Sequence, residues 1–269
     1  MLCAALTLLS ARSEAAVVED RAYFPPVLIY HDIKAQVVME GFDVSLDEFR
    51  NQLDWLKSHG WRTLTAEEFV GYIERREAFP KKTVLLTFDD AYGGIYRYAA
   101  PELSVRDMSA VFFVIVDAIG KPLSRDYWHA SLDELQSMAA EPHFSMQSHT
   151  VHHVSLDQVS ESERQSELLE SKAALEKMFG ESIKLLAYPC GDYDASVIDD
   201  VIDAGYSAAF IVDVLDKGDF DRAMRFSIPR INMGVVFGAE GRRAFQKFMR
   251  RYARLTDKKF ADQWARLPH

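Results

Sequence analysis

The sequence predicts a parallel α/β fold in a single domain, and three observations carry that prediction. Short apolar runs alternate with amphipathic helical stretches along nearly the whole chain. No repeat, low-complexity segment or internal linker interrupts the alternation. Several apolar runs end abruptly in polar, titratable residues: His31, the pair Asp89-Asp90, the stretch His149 to His153, and the stretch Tyr188 to Tyr193. In a parallel barrel or an open parallel sheet, the C-terminal strand ends lie along one rim. Clusters far apart in sequence are therefore expected to meet in space.

The bulk numbers agree. A chain of 269 residues, 48% hydrophobic and 27% charged, has enough apolar surface for one large core. A net charge of -10 argues against nucleic acid or anionic lipid as the main partner. Residues 2 to 10 form an apolar run too short to span a membrane, and Ser13-Glu14-Ala15 after it fits a small-x-small cleavage site. Although no basic residue precedes the run, residues 1–15 read as a signal peptide. The expected location is periplasmic or extracellular. Cleavage there removes Cys3 and leaves Cys190 alone, so no internal disulfide is expected.

Taken in order, residues 16–26 are a linker ending in two prolines. Val27-Leu28-Ile29-Tyr30 is a strand that runs into His31. Residues 45 to 59 are a helix: Ser45 and Glu48 form a capping box, Leu46, Phe49, Leu53 and Leu56 share a face, and Gly60 stops it. A short strand follows at 62 to 64. Thr65 and Glu68 cap a helix to about residue 76. The run Thr83 to Phe88 is a buried strand that ends on two adjacent carboxylates, which is costly unless something there needs them. A Gly93-Gly94 turn leads into a helix through Leu103. Residues 110 to 116 are a strand, and Ser131 and Glu134 cap the next helix. A strand at 144 to 147 enters the histidine cluster. A long polar helix over 160 to 179 stops at Gly180. Strands at 183 to 187, 208 to 212 and 226 to 231 complete the pattern, with a helix from about Ser196 to Gly205 between the first two.

His149 and His153 are four apart, which on a helical turn puts both imidazoles on one face, as a metal site needs. A carboxylate from another strand end would complete a two-His, one-carboxylate set suited to zinc, with other divalent metals also fitting. Of two adjacent acids, one can hold the metal and the other act as a base, and a water acidified by the metal is a hydrolytic nucleophile. His31 can protonate a leaving group, its ordinary pKa lying near neutral pH. A glycosidase built on Asp89 and Asp90 is disfavoured, because neighbouring carboxylates cannot flank a sugar at the separations that chemistry uses.

Thr87-Phe88-Asp89-Asp90, followed by Ser148-His149-Thr150-x-x-His153, resembles the first two motifs of polysaccharide deacetylases, the NodB-homology domains of carbohydrate esterase family four. Tyr96, Pro101, Leu103, the run from Ala110 to Val114 and Tyr127-Trp128 extend the resemblance, which covers about residues 27 to 233. It implies a distorted (β/α)7-type barrel and a domain spanning 27–238. It also implies that Asp89 is the base and that Asp90, His149 and His153 are ligands to Zn2+ or another divalent metal such as Ni2+ or Co2+. Leu28-Ile29-Tyr30-His31 matches the family's last motif but precedes the acidic pair, as in the circularly permuted branch that de-N-acetylates poly-β-1,6-N-acetylglucosamine. His31 is then the acid. Tyr-Pro-Cys-Gly-Asp-Tyr at 188 to 193 resembles that branch's third motif, with Tyr188 near the substrate and the Cys190 N–H at the oxyanion. The usual arginine before that motif is absent, Ala187 standing near its place. Arg230 is the expected replacement for orienting the base. Trp128 is a candidate sugar-stacking residue, with core packing as its alternative. The substrate implied is an N-acetylated polysaccharide, chitin oligomers and peptidoglycan included. A non-catalytic polysaccharide-binding module on the same fold is the competing reading.

Within residues 239–269, Phe245, Phe248, Met249, Tyr252 and Leu255 share one helical face amid basic residues. A helix docked on the domain is expected. A membrane-surface helix over Gly241 to Leu255 is the alternative. A monomer is expected.

Overall fold

A computed structural model describes residues 24–77, 79–212, 224–235 and 238–252. The signal-peptide reading, most of the linker and the last part of the C-terminal segment lie outside the described residues. The fold is a curled, all-parallel sheet with most of its helices packed on the outer face. In chain order the elements are β1 (Val27–Tyr30), β2 (Asp32–Lys34), β3 (Asp43–Ser45), α1 (Leu46–Ser58), β4 (Arg62–Thr63), α2 (Ala66–Glu74) and β5 (Thr83–Phe88). After a π-type turn at Ile95–Ala99 come α3 (Ala100–Ser104), β6 (Ala110–Val114), α4 (Leu132–Ala139), β7 (Phe144–Ser148) and α5 (Glu161–Phe179). Next are β8 (Leu185–Ala187), α6 (Ala195–Asp203), β9 (Ala208–Phe210), β10 (Ile231–Asn232) and α7 (Gly238–Tyr252).

The main sheet runs β10-β1-β5-β6-β7-β8-β9, and β4 pairs with the start of β5. Its two edges are tied through Ile228, whose N–H donates to Ala209 and whose carbonyl accepts from Ile211, three residues before Ile231 pairs with Leu28. The curled sheet is thus a distorted (β/α)7 barrel. The stretch 226 to 231 is not the single strand the sequence suggests. Pro229 has no N–H to offer a ladder, and the chain makes one bridge at Ile228 and begins β10 only at Ile231. The short parallel pair β2 and β3 has no counterpart in the sequence reading.

Capping fixes where the helices begin. Ser45, Thr65, Ser131 and Ser160 each accept from the N–H three residues on, and the boxes closed by Glu68 and Glu134 are complete. At Ser45 only half the box forms, because the Glu48 carboxylate turns to Gln52 and Arg242 instead. Gly180, at φ 70°, ends α5 in the left-handed region, where a side chain would be strained.

Side chains alternate across each strand. Leu86, Phe88, Phe112, Val114 and Met146 face outward into one buried cluster with the helices. Leu85, Val111, Phe113, Leu185 and Phe210 share the inner face with Phe69, Val70 and Ile73 of α2. The inner parity of Leu85 and Thr87 continues to Asp89, so the strand itself aims Asp89 into the barrel. α7 belongs to the same body. Phe245 and Met249 are buried in the outer cluster, and the Phe245 ring meets Trp55 of α1 edge-on at 5.5 Å. The apolar face at these two positions is covered by protein rather than presented to a surface. Among the described residues no helix is long and apolar enough to cross a membrane.

Candidate active site

The rim loops after β1, β5, β7 and β8 bring the sequence-singled residues together. β1 and β5 pair in register up to Tyr30 and Phe88, and the Asp89 N–H donates to the Tyr30 carbonyl at 2.9 Å. His31 and Asp89 therefore leave adjacent strands side by side. Arg230 arrives from the closing segment just before β10. Its two terminal nitrogens donate to both Asp89 oxygens at 2.6 Å, and its Nε donates to the Ile211 carbonyl at 3.0 Å. Both partners are about 1% exposed. Burial alone would raise the Asp89 pKa, but Arg230 first, with His149 and His31, holds it below the usual carboxylate range.

Beside this pair, one ligand atom each from Asp90, His149 and His153 lie within 4.8 Å of one another. Asp90 Oδ1 sits 3.4 Å from His149 Nε2 and 3.5 Å from His153 Nε2, and it is a buried acceptor with no hydrogen-bond partner. His149 Nδ1 lies 2.8 Å from the Ala187 carbonyl. A carbonyl only accepts, so Nδ1 carries the proton and Nε2 is left with a lone pair turned toward Asp90. An orphaned carboxylate oxygen facing two imidazole nitrogens fits a divalent cation of the zinc type. Burial would lower the His149 pKa, but the Asp89 and Asp90 charges outweigh it and raise it.

The two histidines do not meet through helical spacing. The loop 149 to 153 is irregular, with left-handed backbone at Thr150 (φ 65°) and His153 (φ 58°). The four-residue spacing pointed to the right pair for a different geometric reason. Glu167, buried on α5, shapes this loop by accepting from the Val151 and His152 N–H groups at 2.8 and 2.9 Å and bonding His152 Nδ1 at 2.6 Å. His152 accordingly points away from Asp90.

His31 stacks on Phe42 with centroids 4.3 Å apart, and its Nδ1 has no hydrogen-bond partner. Burial pushes its pKa down, and the Asp89 and Asp90 charges only partly offset this. Tyr188 is fully buried: its hydroxyl donates to the Phe226 carbonyl at 2.9 Å and its ring stacks on Tyr193. What it contributes to the rim is the backbone leading to Cys190, which is exposed and left-handed at φ 58°. Trp128 packs over Gly93, where an added Cβ would lie 1.9 Å from its Nε1, and the Arg97 guanidinium sits 5.2 Å from its ring. Neither contact reaches the carboxylate and imidazole groups of the rim.

Sequence reasoning missed three residues. Glu167 sits on a helix with weak apolar patterning that gives no hint of a buried acid. Tyr92 lies just past the acidic pair. His129, next to Trp128, places Nδ1 2.7 Å from the Asp90 carbonyl.

A family model for polysaccharide deacetylases matches residues 76–209. The protein named "Putative polysaccharide deacetylase YxkH" of Bacillus subtilis (strain 168) is 30% identical over 181 residues, covering 67% of this chain and 62% of that protein. The chain thus spans less than two thirds of that relative's length. The poly-beta-1,6-N-acetyl-D-glucosamine N-deacetylase of Staphylococcus aureus (strain MSSA476) is 30% identical over 201 residues, covering 72% of this chain and 68% of that one. The structure of the Streptococcus pyogenes deacetylase PplD in complex with acetate superposes with a TM-score of 0.70 at 26% identity, over 82% of this chain and 96% of that one.

Proposed function

This chain belongs to the polysaccharide deacetylase family, and on that premise we propose that it hydrolyses N-acetyl groups from an exported N-acetylglucosamine polymer. Poly-β-1,6-N-acetylglucosamine, the substrate in the name of the Staphylococcus aureus relative, is the first candidate. The observation that carries this reading is the pairing of a buried Asp89–Arg230 fork with the Asp90, His149 and His153 cluster beside it.

Asp90, His149 and His153 are the residues that would hold a divalent ion. When bound, such an ion polarises the acetyl carbonyl and acidifies water. Asp89, kept ionised by Arg230, accepts the proton of the attacking water. The Cys190 backbone N–H supports the oxyanion that develops on the former carbonyl oxygen. His31 protonates the departing amine, so acetate and a free glucosamine unit leave. Its unpartnered Nδ1 leaves the ring without an internal hydrogen bond at that nitrogen. The buried Tyr188 contributes by fixing the turn that carries Cys190. Trp128, partly exposed, is the candidate for contact with a flanking sugar.

The test is acetate release across poly-β-1,6-N-acetylglucosamine, chitin oligomers and peptidoglycan, with and without a chelator. Chelation should abolish release and added Zn2+ should restore it. Asp89→Asn should lower kcat by about 10²- to 10⁴-fold while metal binding persists. Release at the wild-type rate from Asp89→Asn would remove Asp89 as base. Wild-type protein that binds these glycans yet releases no acetate from any would leave the binding-module reading in place.

A further inference from the structure

Asp90 and Ala91 are consecutive non-glycine residues with left-handed backbone, φ 66° and 52°. Such a conformation is strained for a residue with a side chain and persists only where its surroundings hold it. What holds this turn is the segment 127 to 130, which runs antiparallel beside it. Gly93 N–H donates to the Trp128 carbonyl at 2.8 Å, and Ala130 N–H donates to the Ala91 carbonyl at 2.9 Å. Tyr92 and His129 form an antiparallel bridge. The Asp90 carbonyl is taken by a side chain, His129, at 2.7 Å.

His129 is 8% exposed and its ring lies flat on Tyr92, with centroids 4.8 Å apart and planes 22° apart. Because its partner is a carbonyl, Nδ1 must carry a proton and donate it. It fixes the peptide between Asp90 and Ala91, and with it the direction in which the Asp90 side chain leaves the backbone. Tyr92, clamped by the same ring, adjoins that carboxylate. Burial, and then the Asp90 charge, push its phenol pKa up.

We propose that His129 is a positioning residue for Asp90: its Nδ1–H pins the Asp90 carbonyl and so aims the carboxylate at His149 and His153. The inference rests on the reading of Asp90, His149 and His153 as a metal site. It predicts that metal affinity depends on a hydrogen-bond donor at position 129 rather than on a ring there. His129→Phe keeps a ring on Tyr92 and loses the donor. His129→Asn loses the ring and keeps a donor near the Nδ1 position.

The experiment titrates the metal-stripped full chain with Zn2+ against a chromophoric chelator and measures the melting temperature of each stripped variant. His129→Phe should bind Zn2+ about 10- to 100-fold more weakly, the usual effect of losing a group that orients a ligand. His129→Asn should recover affinity to within about threefold of wild type, whatever its melting temperature. Unchanged affinity in His129→Phe, or equal losses in both variants, overturns the proposal. If His129→Phe does not fold, His129→Asn decides: wild-type affinity supports the donor, and a loss of about tenfold or more in a folded protein overturns it. Asp90→Asn is the control on the premise. If the wild type binds no Zn2+, or Asp90→Asn binds it equally well, the metal reading falls and this inference with it. Wild-type binding that Asp90→Asn loses and His129→Phe retains removes the inference alone.

Discussion

At the scale of residues, the Arg230–Asp89 fork buries two charges in the barrel interior. Both groups are almost wholly buried, and a buried ion pair regains its desolvation cost only with good geometry and satisfied hydrogen bonds. Two 2.6 Å bonds and the Nε contact to Ile211 supply both. Arg230→Met should destabilise the protein by about 3–5 kcal/mol, because it leaves a buried charge unpaired. Urea unfolding at neutral pH measures this. The same change should move the acid limb of the activity profile to higher pH. Arg230 holds the Asp89 pKa down, so without it Asp89 gains its proton at a higher pH and the base is lost earlier on acidification. An unshifted acid limb would mean that Arg230 does not tune the base.

At the scale of elements, the proposed site sits where regular structure ends. Five left-handed non-glycine residues (Asp90, Ala91, Thr150, His153 and Cys190) lie in the loops after β5, β7 and β8. The helices carry stability instead. The turn before α3 widens into a π-type register just ahead of Pro101, which has no N–H to return to the preceding turn. Glu102 on α3 bonds Arg106 one turn on at 2.6 Å and Arg50 on α1 at 2.7 Å. Hydrogen bonding to Arg50 leads the causes that lower its pKa, with Arg106 adding to it against a smaller burial effect. A carboxyl lowered in the fold stabilises above its unfolded pKa, near 4.5, and loses that contribution as pH falls through its folded value. Glu102→Gln should therefore cost about 0.5–1 kcal/mol at pH 7, and the difference from wild type should shrink steadily below pH 4.5. Parallel urea melts at several pH values would show it. A difference constant across that range would mean that packing, not charge, carries the contribution.

At the scale of the whole molecule, α7 closes the structure rather than trailing from it. Met249 is fully buried, and Phe245 rests on Trp55. Met249→Ala should cost about 2–5 kcal/mol, read as a lower urea midpoint with an unchanged slope. Loss of vesicle binding without loss of stability would instead favour the surface-helix reading of this segment. The parallel α/β class, the helix starts and the residues Asp89, Asp90, His31, His149 and His153 of the rim were legible in the sequence. Periodicity, caps and the polar ends of apolar runs are local signals, carried by neighbouring residues. The family resemblance named Asp89, Asp90, His31, His149 and His153, and all five lie at one rim, just after β1, β5 and β7. Arg230 could only be a candidate, because the bond that makes it matter spans 141 positions and forms only when the sheet curls onto its first strand. The break at Pro229, the irregular loop that brings His149 and His153 together, the burial of Tyr188 and the hold of His129 on Asp90 were likewise decided by tertiary structure. Each depends on backbone conformations and long-range partners that exist only once the barrel has closed.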